Sequence, residues 1–117
     1  MEYIVAAESD IGIAKSVNQD SLCVKVAEAE LGNAALLLIC DGMGGLAMGE
    51  LASAEVVQSF SEWFENEFPK HLRNFDREDI ARQVAELLGS LNEKLIAYGE
   101  ANRLTMGTTA TGMIIFN

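Results

Sequence analysis

The sequence predicts an α+β fold, and three observations carry that prediction. Leu22, Val24 and Val26 alternate with Ser21, Cys23 and Lys25, the period of two expected of a half-buried strand. Leu36-Leu37-Leu38-Ile39-Cys40 is an unbroken apolar run, the pattern of a strand buried on both faces. After residue 48 the period changes to three and four, and it returns to β chemistry only after Arg103. Strands, then two long helices, then a strand is a segregated order, which packs helices on a sheet.

In chain order, Tyr3 to Ala7 reads as a first strand, broken by Glu8-Ser9-Asp10-Ile11-Gly12. Residues 15–21 are polar and turn-prone. The alternating strand follows, then turn residues Leu31-Gly32-Asn33, then a buried strand from Ala34 to Cys40, so the two strands form an antiparallel hairpin. Asp41-Gly42-Met43-Gly44-Gly45 reads as a tight glycine turn. Ala52, Val56, Phe60, Trp63 and Phe64 form the apolar stripe of a helix over about 48–68, ended by Pro69. Asp76 is an N-cap, with Glu78 and Asp79 in the favourable first turn of a second helix. Its stripe runs from Ile80 through Leu91 to Tyr98, and Gly99 stands where a C-cap belongs. Gly89, in mid-helix, marks a place where another element packs close. Residues 106–116 read as one strand with no helical period.

The composition narrows the function. At 117 residues the chain is one small domain or part of a larger one, and at 50% apolar residues it can bury a core. A net charge of −10 argues against nucleic acid and anionic membrane surfaces as partners. No apolar run approaches the ~20 residues of a membrane span. Cys23 and Cys40 match neither a disulfide framework nor a zinc motif, and free thiols favour a reducing, cytoplasmic setting.

Three stretches hold residues that a core does not need. They are Lys15 with Asn18, Gln19 and Asp20; Asp41 with its glycines; and Met106-Gly107-Thr108-Thr109. Gly42-x-Gly44-x-x-Ala47 between strand and helix loosely matches a dinucleotide fingerprint, but Asp41 would repel a pyrophosphate. An oxygen-ligand metal site fits better, because Asp41 and a glycine carbonyl suit Mg²⁺ or Mn²⁺ and the hairpin brings Asp20 to the same end. Asp-Gly also simply marks turns. Lys15 adds an anion site, so cation and anion together suggest a phosphate ester.

The three stretches, quoted as Gly12-Ile13-Ala14-Lys15-Ser16-Val17-Asn18-Gln19-Asp20, Cys40-Asp41-Gly42-Met43-Gly44-Gly45 and Met106-Gly107-Thr108-Thr109, resemble the first motifs of the metal-dependent (PPM, type 2C) Ser/Thr protein phosphatases, bacterial type. The resemblance covers nearly all of residues 1–117, but only the N-terminal half of that catalytic domain. It implies part of a four-layer αββα sandwich, an antiparallel β-sandwich flanked by helix pairs and incomplete in this chain. It implies phosphomonoester hydrolysis by a metal-bound water at a two-metal Mn²⁺ or Mg²⁺ site, acting on phosphoproteins. By the same resemblance Asp41 bridges the metals, the Gly42 carbonyl binds one, Asp20 supports the site, and Lys15 holds the substrate phosphate. The catalytic residues would then be Asp41 and Lys15.

This chain departs from the family at Lys15, where most members have Arg; at Gln19, often Glu; and at Met43, where eukaryotic members often have His. Met106 to Thr109 reads as structural, and His71 as a loop residue. Asp20 and Asp41 alone cannot complete two metal sites, so these 117 residues are expected to be inactive by themselves. The alternative is a non-catalytic phosphatase-like half-domain used for interaction or regulation. An unpaired sheet edge and an uncovered apolar face predict self-association, through the exposed edge or by exchange of helices.

Overall fold

The computed structural model describes residues 20–29, 32–44 and 48–116. The expected strand over 3–7 and the stretch carrying Lys15, Asn18 and Gln19 lie outside them, as does Gly45. Within the described residues the order is β1 (Asp20–Ala29), β2 (Gly32–Gly44), α1 (Met48–Asn66), a 3₁₀ helix (Phe68–His71), α2 (Arg77–Asn102), β3 (Met106–Thr108) and β4 (Thr111–Phe116).

β2 is the centre of an antiparallel sheet. It pairs with β1 on one side, from Asp20 opposite Asp41 to Ala29 opposite Gly32. Its other side pairs with β3 and β4. The expected hairpin is therefore present, but β2 is longer than the apolar run. It continues through Gly42, Met43 and Gly44, which pair with Thr108, Gly107 and Met106. The glycines are not a turn immediately after Asp41, because β3 supplies ladder partners that keep them extended.

The final strand is not continuous. β3 and β4 keep one register along β2, and pairing lapses only at Thr109 and Ala110. The cause is a hydroxyl that replaces a ladder bond. The Asp41 N–H donates to Thr109 Oγ1 at 3.1 Å instead of to the main chain. The Thr109 carbonyl accepts from Thr108 Oγ1 at 2.8 Å.

Alternation sorts the sheet into two faces. Cys23, Leu36, Leu38 and Cys40 are buried beneath α1, whose Ala52, Val56, Phe60, Trp63 and Phe64 form the other half of the core. Leu22, Val24, Ile39 and Met113 belong to the opposite face and are exposed, so among the described residues the run from Leu36 to Cys40 is covered on one face only, not on both as its unbroken apolar pattern predicts. Phe68 closes the core at 1% exposure, stacked on Phe64 with ring centroids 5.1 Å apart. Pro69 lies inside the 3₁₀ helix, its fixed φ suiting that first turn.

α2 begins as expected, with the Asp76 carboxylate accepting from the Glu78 N–H at 3.0 Å. It ends later than expected, at Asn102, with Arg103 in the left-handed conformation at φ 55°. The Leu104 N–H donates to the Gly99 carbonyl at 2.8 Å and the Arg103 N–H to Glu100, a Schellman closure. Gly99 is therefore not the cap. It is buried inside the last turn, where a Cβ would stand 2.6 Å from the Leu104 carbonyl oxygen. Gly89 is the reverse case. A Cβ there would meet nothing within 4 Å, so no described element packs against it. Gly89→Ala should stabilise the fold by about 1 kcal/mol, the difference in helix propensity. A urea midpoint unchanged or lowered by this substitution would contradict the open environment.

α2 leans on α1 rather than on β4. The Trp63 Nε1–H donates to Gln83 Oε1 at 3.1 Å, and Lys94 is paired with Glu55. Between α2 and β4 lies a cleft of about 680 Å³, walled by Leu36, Leu38, Phe60, Ile80, Val84 and Ile114.

Candidate functional site

The site grows from one feature of register. Asp20 on β1 lies directly opposite Asp41 on β2. The Asp41 main chain is bonded on its other side, where the Thr109 N–H donates to the Asp41 carbonyl at 2.9 Å. In an antiparallel ladder successive residues direct their N–H and C=O to alternate sides. Asp20 and Asp41 are thus a non-hydrogen-bonded pair, the type whose Cα atoms approach to about 4.5 Å. Two acidic residues directly opposite each other destabilise a sheet. A divalent cation relieves that repulsion and takes carboxylate oxygens readily.

The same alternation directs the backbone of Gly42 toward the β1 side. Gly42 is buried, and it lies one residue beyond the last described pair of β1 and β2. Its carbonyl therefore faces the Asp20 side of β2. Asp41 and the Gly42 carbonyl are hard oxygen donors, and Asp20 occupies the ladder position opposite Asp41. Among the described residues no group of three or more His, Cys, Asp or Glu side chains is placed to hold a metal ion. Asp20, Asp41 and the Gly42 carbonyl fit part of a Mg²⁺ or Mn²⁺ shell, and both ions accept water in the remaining positions.

Thr109 is the residue that sequence reasoning undervalued. It opposes Asp41 from the break between β3 and β4, bonds both the N–H and the C=O of Asp41, and so fixes the backbone of the central carboxylate. A Thr-Thr pair in a β-rich stretch gives no sequence signal for that task. Ser53 was also missed. It is fully buried near the start of α1, bonds Ser21 at 2.9 Å and donates to the Glu50 carbonyl at 3.1 Å. It ties the first turns of α1 to β1 beside Asp20.

The other candidates are placed as follows. Lys15 lies outside the described residues. Met43 is exposed on β2, two positions along from Asp41 on the same face, and has no proton to give. His71 is distant in role. Its Nδ1 lies 3.3 Å from Asp79 Oδ2 and its Nε2 lies 3.1 Å from Gln83 Nε2, which ties the 3₁₀ helix to α2. Cys23 and Cys40 are free and buried. Desolvation pushes the Cys40 thiol up to about 11, so it stays protonated and inert beneath α1.

No protein-family model matches the chain, and no curated protein matches it. Solved structures do. The S. agalactiae serine/threonine phosphatase aligns with TM-score 0.71 and 28% identity over 92% of this chain and 42% of that one. The catalytic domain of serine threonine protein phosphatase PstP, in complex with two manganese ions, aligns with TM-score 0.70 and 29% identity over 94% and 42%. A bacterial serine phosphatase, crystallised as a point mutant, gives 0.71 and 27% over 92% and 46%. The architecture is an α+β part of the phosphatase fold, incomplete in this chain, which spans less than half the length of the structures it matches. Its structural neighbours are bacterial PPM-type Ser/Thr phosphatases, the group that the sequence motifs also resemble. No described helix is long and apolar enough to cross a membrane.

Proposed function

We propose that residues 1–117 are the N-terminal half of a metal-dependent Ser/Thr phosphatase domain that hydrolyses phosphoserine and phosphothreonine in cytoplasmic proteins. The observation that supports this reading best is the cross-strand pair of Asp20 and Asp41. In this reading Asp41 and the Gly42 carbonyl would hold Mn²⁺ or Mg²⁺, with Asp20 supporting the site. A bound divalent cation supplies positive charge where negative charge develops on the phosphoryl oxygens, and it lowers the pKa of water. Thr109 holds the Asp41 backbone still, so the donor oxygens need little reorganisation when a cation arrives. Lys15 holds the substrate phosphate as a point charge, without the two-pronged grip of Arg. Met43 leaves protonation of the leaving group to water. Self-association through the edge of β4, which no described strand pairs, belongs to the same reading, because Thr111 to Phe116 carries neither charge nor proline to block strand pairing.

Metal affinity tests the reading without requiring turnover. Mn²⁺ should raise the thermal midpoint of the 117-residue chain, by an amount equivalent to about 2.7 kcal/mol at a hundredfold excess over Kd. Asp41→Asn should abolish that rise. Aryl phosphate hydrolysis by the chain alone should stay near background. A midpoint indifferent to Mn²⁺ would favour the non-catalytic half-domain. Robust Mn²⁺-dependent hydrolysis, lost in Asp41→Ala, would show that these residues suffice.

A further inference from the structure

We propose that His71 is a proton-operated latch, whose charging breaks the bond through which Gln83 holds the start of α2 to α1. The latch follows from what each neighbour of Gln83 can do. An indole only donates, and the Trp63 Nε1–H meets Gln83 Oε1 at 3.1 Å. An ionised carboxylate only accepts, and Asp79 Oδ2 lies 3.1 Å from Gln83 Nε2. These two contacts fix the amide in one orientation, oxygen to Trp63 and nitrogen to Asp79. The second N–H of the amide then falls to His71 Nε2, also 3.1 Å away. That ring nitrogen must be the bare one. The proton of the neutral ring therefore sits on Nδ1, which lies 3.3 Å from Asp79 Oδ2. In this state every donor of the amide, the indole and the ring meets an acceptor.

Protonation spoils the match. A charged imidazole carries N–H on both nitrogens, so Nε2–H would point at an amide N–H. Turning the amide over does not help. Its oxygen would accept from His71, but its NH₂ group would face the indole N–H and its link to Asp79 would be lost. No orientation satisfies Trp63, Asp79 and a charged His71 together. The charged ring keeps its place, because its contact with Asp79 becomes a charge-assisted bond, stronger than the neutral ones around it. Gln83 is the group that gives way, and the Trp63 N–H, on a side chain 8% exposed, loses its partner. α2 thus exchanges a link to α1 for a firmer one to the 3₁₀ helix.

The surroundings leave His71 as the group that switches. From α2 it is faced by Asp79, whose other oxygen is paired with Arg82. On the α1 side the carboxylates near Trp63 are engaged elsewhere, Glu62 by Gln58, Glu65 by Lys25 and Glu67 by Lys70, the residue beside His71. The effect reaches the cleft of about 680 Å³, because Ile80 and Val84, on either side of Gln83, wall it against β4. Farther along α2, Lys94 is paired with Glu55, and carboxylate–ammonium pairs keep both charges between about pH 5.5 and about pH 8. Acid therefore loosens the first half of α2 and leaves the second half fastened. The latch is independent of metal binding, since it uses none of the residues around Asp41.

The chain has one Trp and one His, so each end of the relay gives a single NMR signal. The 117-residue chain is titrated from about pH 8 to about pH 5.5, the range in which imidazoles gain charge. The Trp63 indole N–H resonance should move upfield with the same midpoint as the His71 ring protons. Amide protection around Gln83, corrected for intrinsic exchange, should fall several-fold over the same range, while that around Lys94 holds. In Gln83→Met the ring should still titrate, but the indole signal should no longer follow it. His71→Gln alters a side chain that is 33% exposed, and should leave the indole signal independent of pH. An indole signal that stays still while His71 titrates, or one that still moves in either variant, would overturn the latch. So would unchanged protection around Gln83, or a ring that stays neutral down to about pH 5.5.

Discussion

Phe60→Ala should destabilise the fold by about 3–5 kcal/mol, read as a lowered urea midpoint with an unchanged slope. Phe60 is 4% exposed and stands on α1 over Leu36 and Leu38, edge-on to Trp63 with ring centroids 6.5 Å apart. Truncation removes the transfer energy of the ring and leaves a hole beside the existing cleft under α2. The sheet below cannot move up to fill it, because β2 is held on both sides by its neighbours. A loss below about 1 kcal/mol would mean that α1 does not bury this face.

Gly99→Ala should cost about 1–3 kcal/mol, the range for forcing extra volume into a packed site. The methyl would meet the Leu104 carbonyl oxygen at 2.6 Å, and that atom is main chain, so no side-chain rotation relieves it. The Leu104 N–H is bonded back to the Gly99 carbonyl, so the turn cannot open without losing that bond. The same substitution at Gly89, in the same helix, is expected to stabilise. Opposite signs at the two glycines test the model of α2 directly. If both substitutions stabilise, the chain does not double back on Gly99.

The elements themselves were largely legible in the sequence. Alternation at Leu22, Val24 and Val26 and the apolar run before Asp41 identify the hairpin, because burial on one face or two leaves a period that composition cannot mimic. The meeting of Asp20 and Asp41 follows from that hairpin once its turn is placed, so the heart of the candidate site was also readable. What escaped was written in interactions rather than in periods. The break at Thr109 depends on one hydroxyl taking a main-chain N–H, and no pattern of apolar residues records it. The late end of α2 depends on Arg103 adopting φ 55°, a conformation that sequence rules reserve for Gly or Asn. Gly99 was misread for the same reason, since a glycine needed for close approach looks identical to a glycine needed for a cap.

The cleft between α2 and β4 has a consequence for motion. α2 is fastened along one side, by Gln83 to Trp63 and by Lys94 to Glu55, and at its end by the turn into β3. Its Leu88, Ile96 and Tyr98 are exposed, and it buries only Ile80, Leu91 and Gly99 where α1 buries seven residues, so less core would be lost if it swung outward than if α1 did. Such a segment opens at a lower free energy than the sheet and α1 beneath it. The chain then behaves as two cooperative units of unequal strength, a tight core of α1 on the β1–β2 hairpin and a helical arm. The arm can rise and settle again without unfolding the strand that carries Asp41.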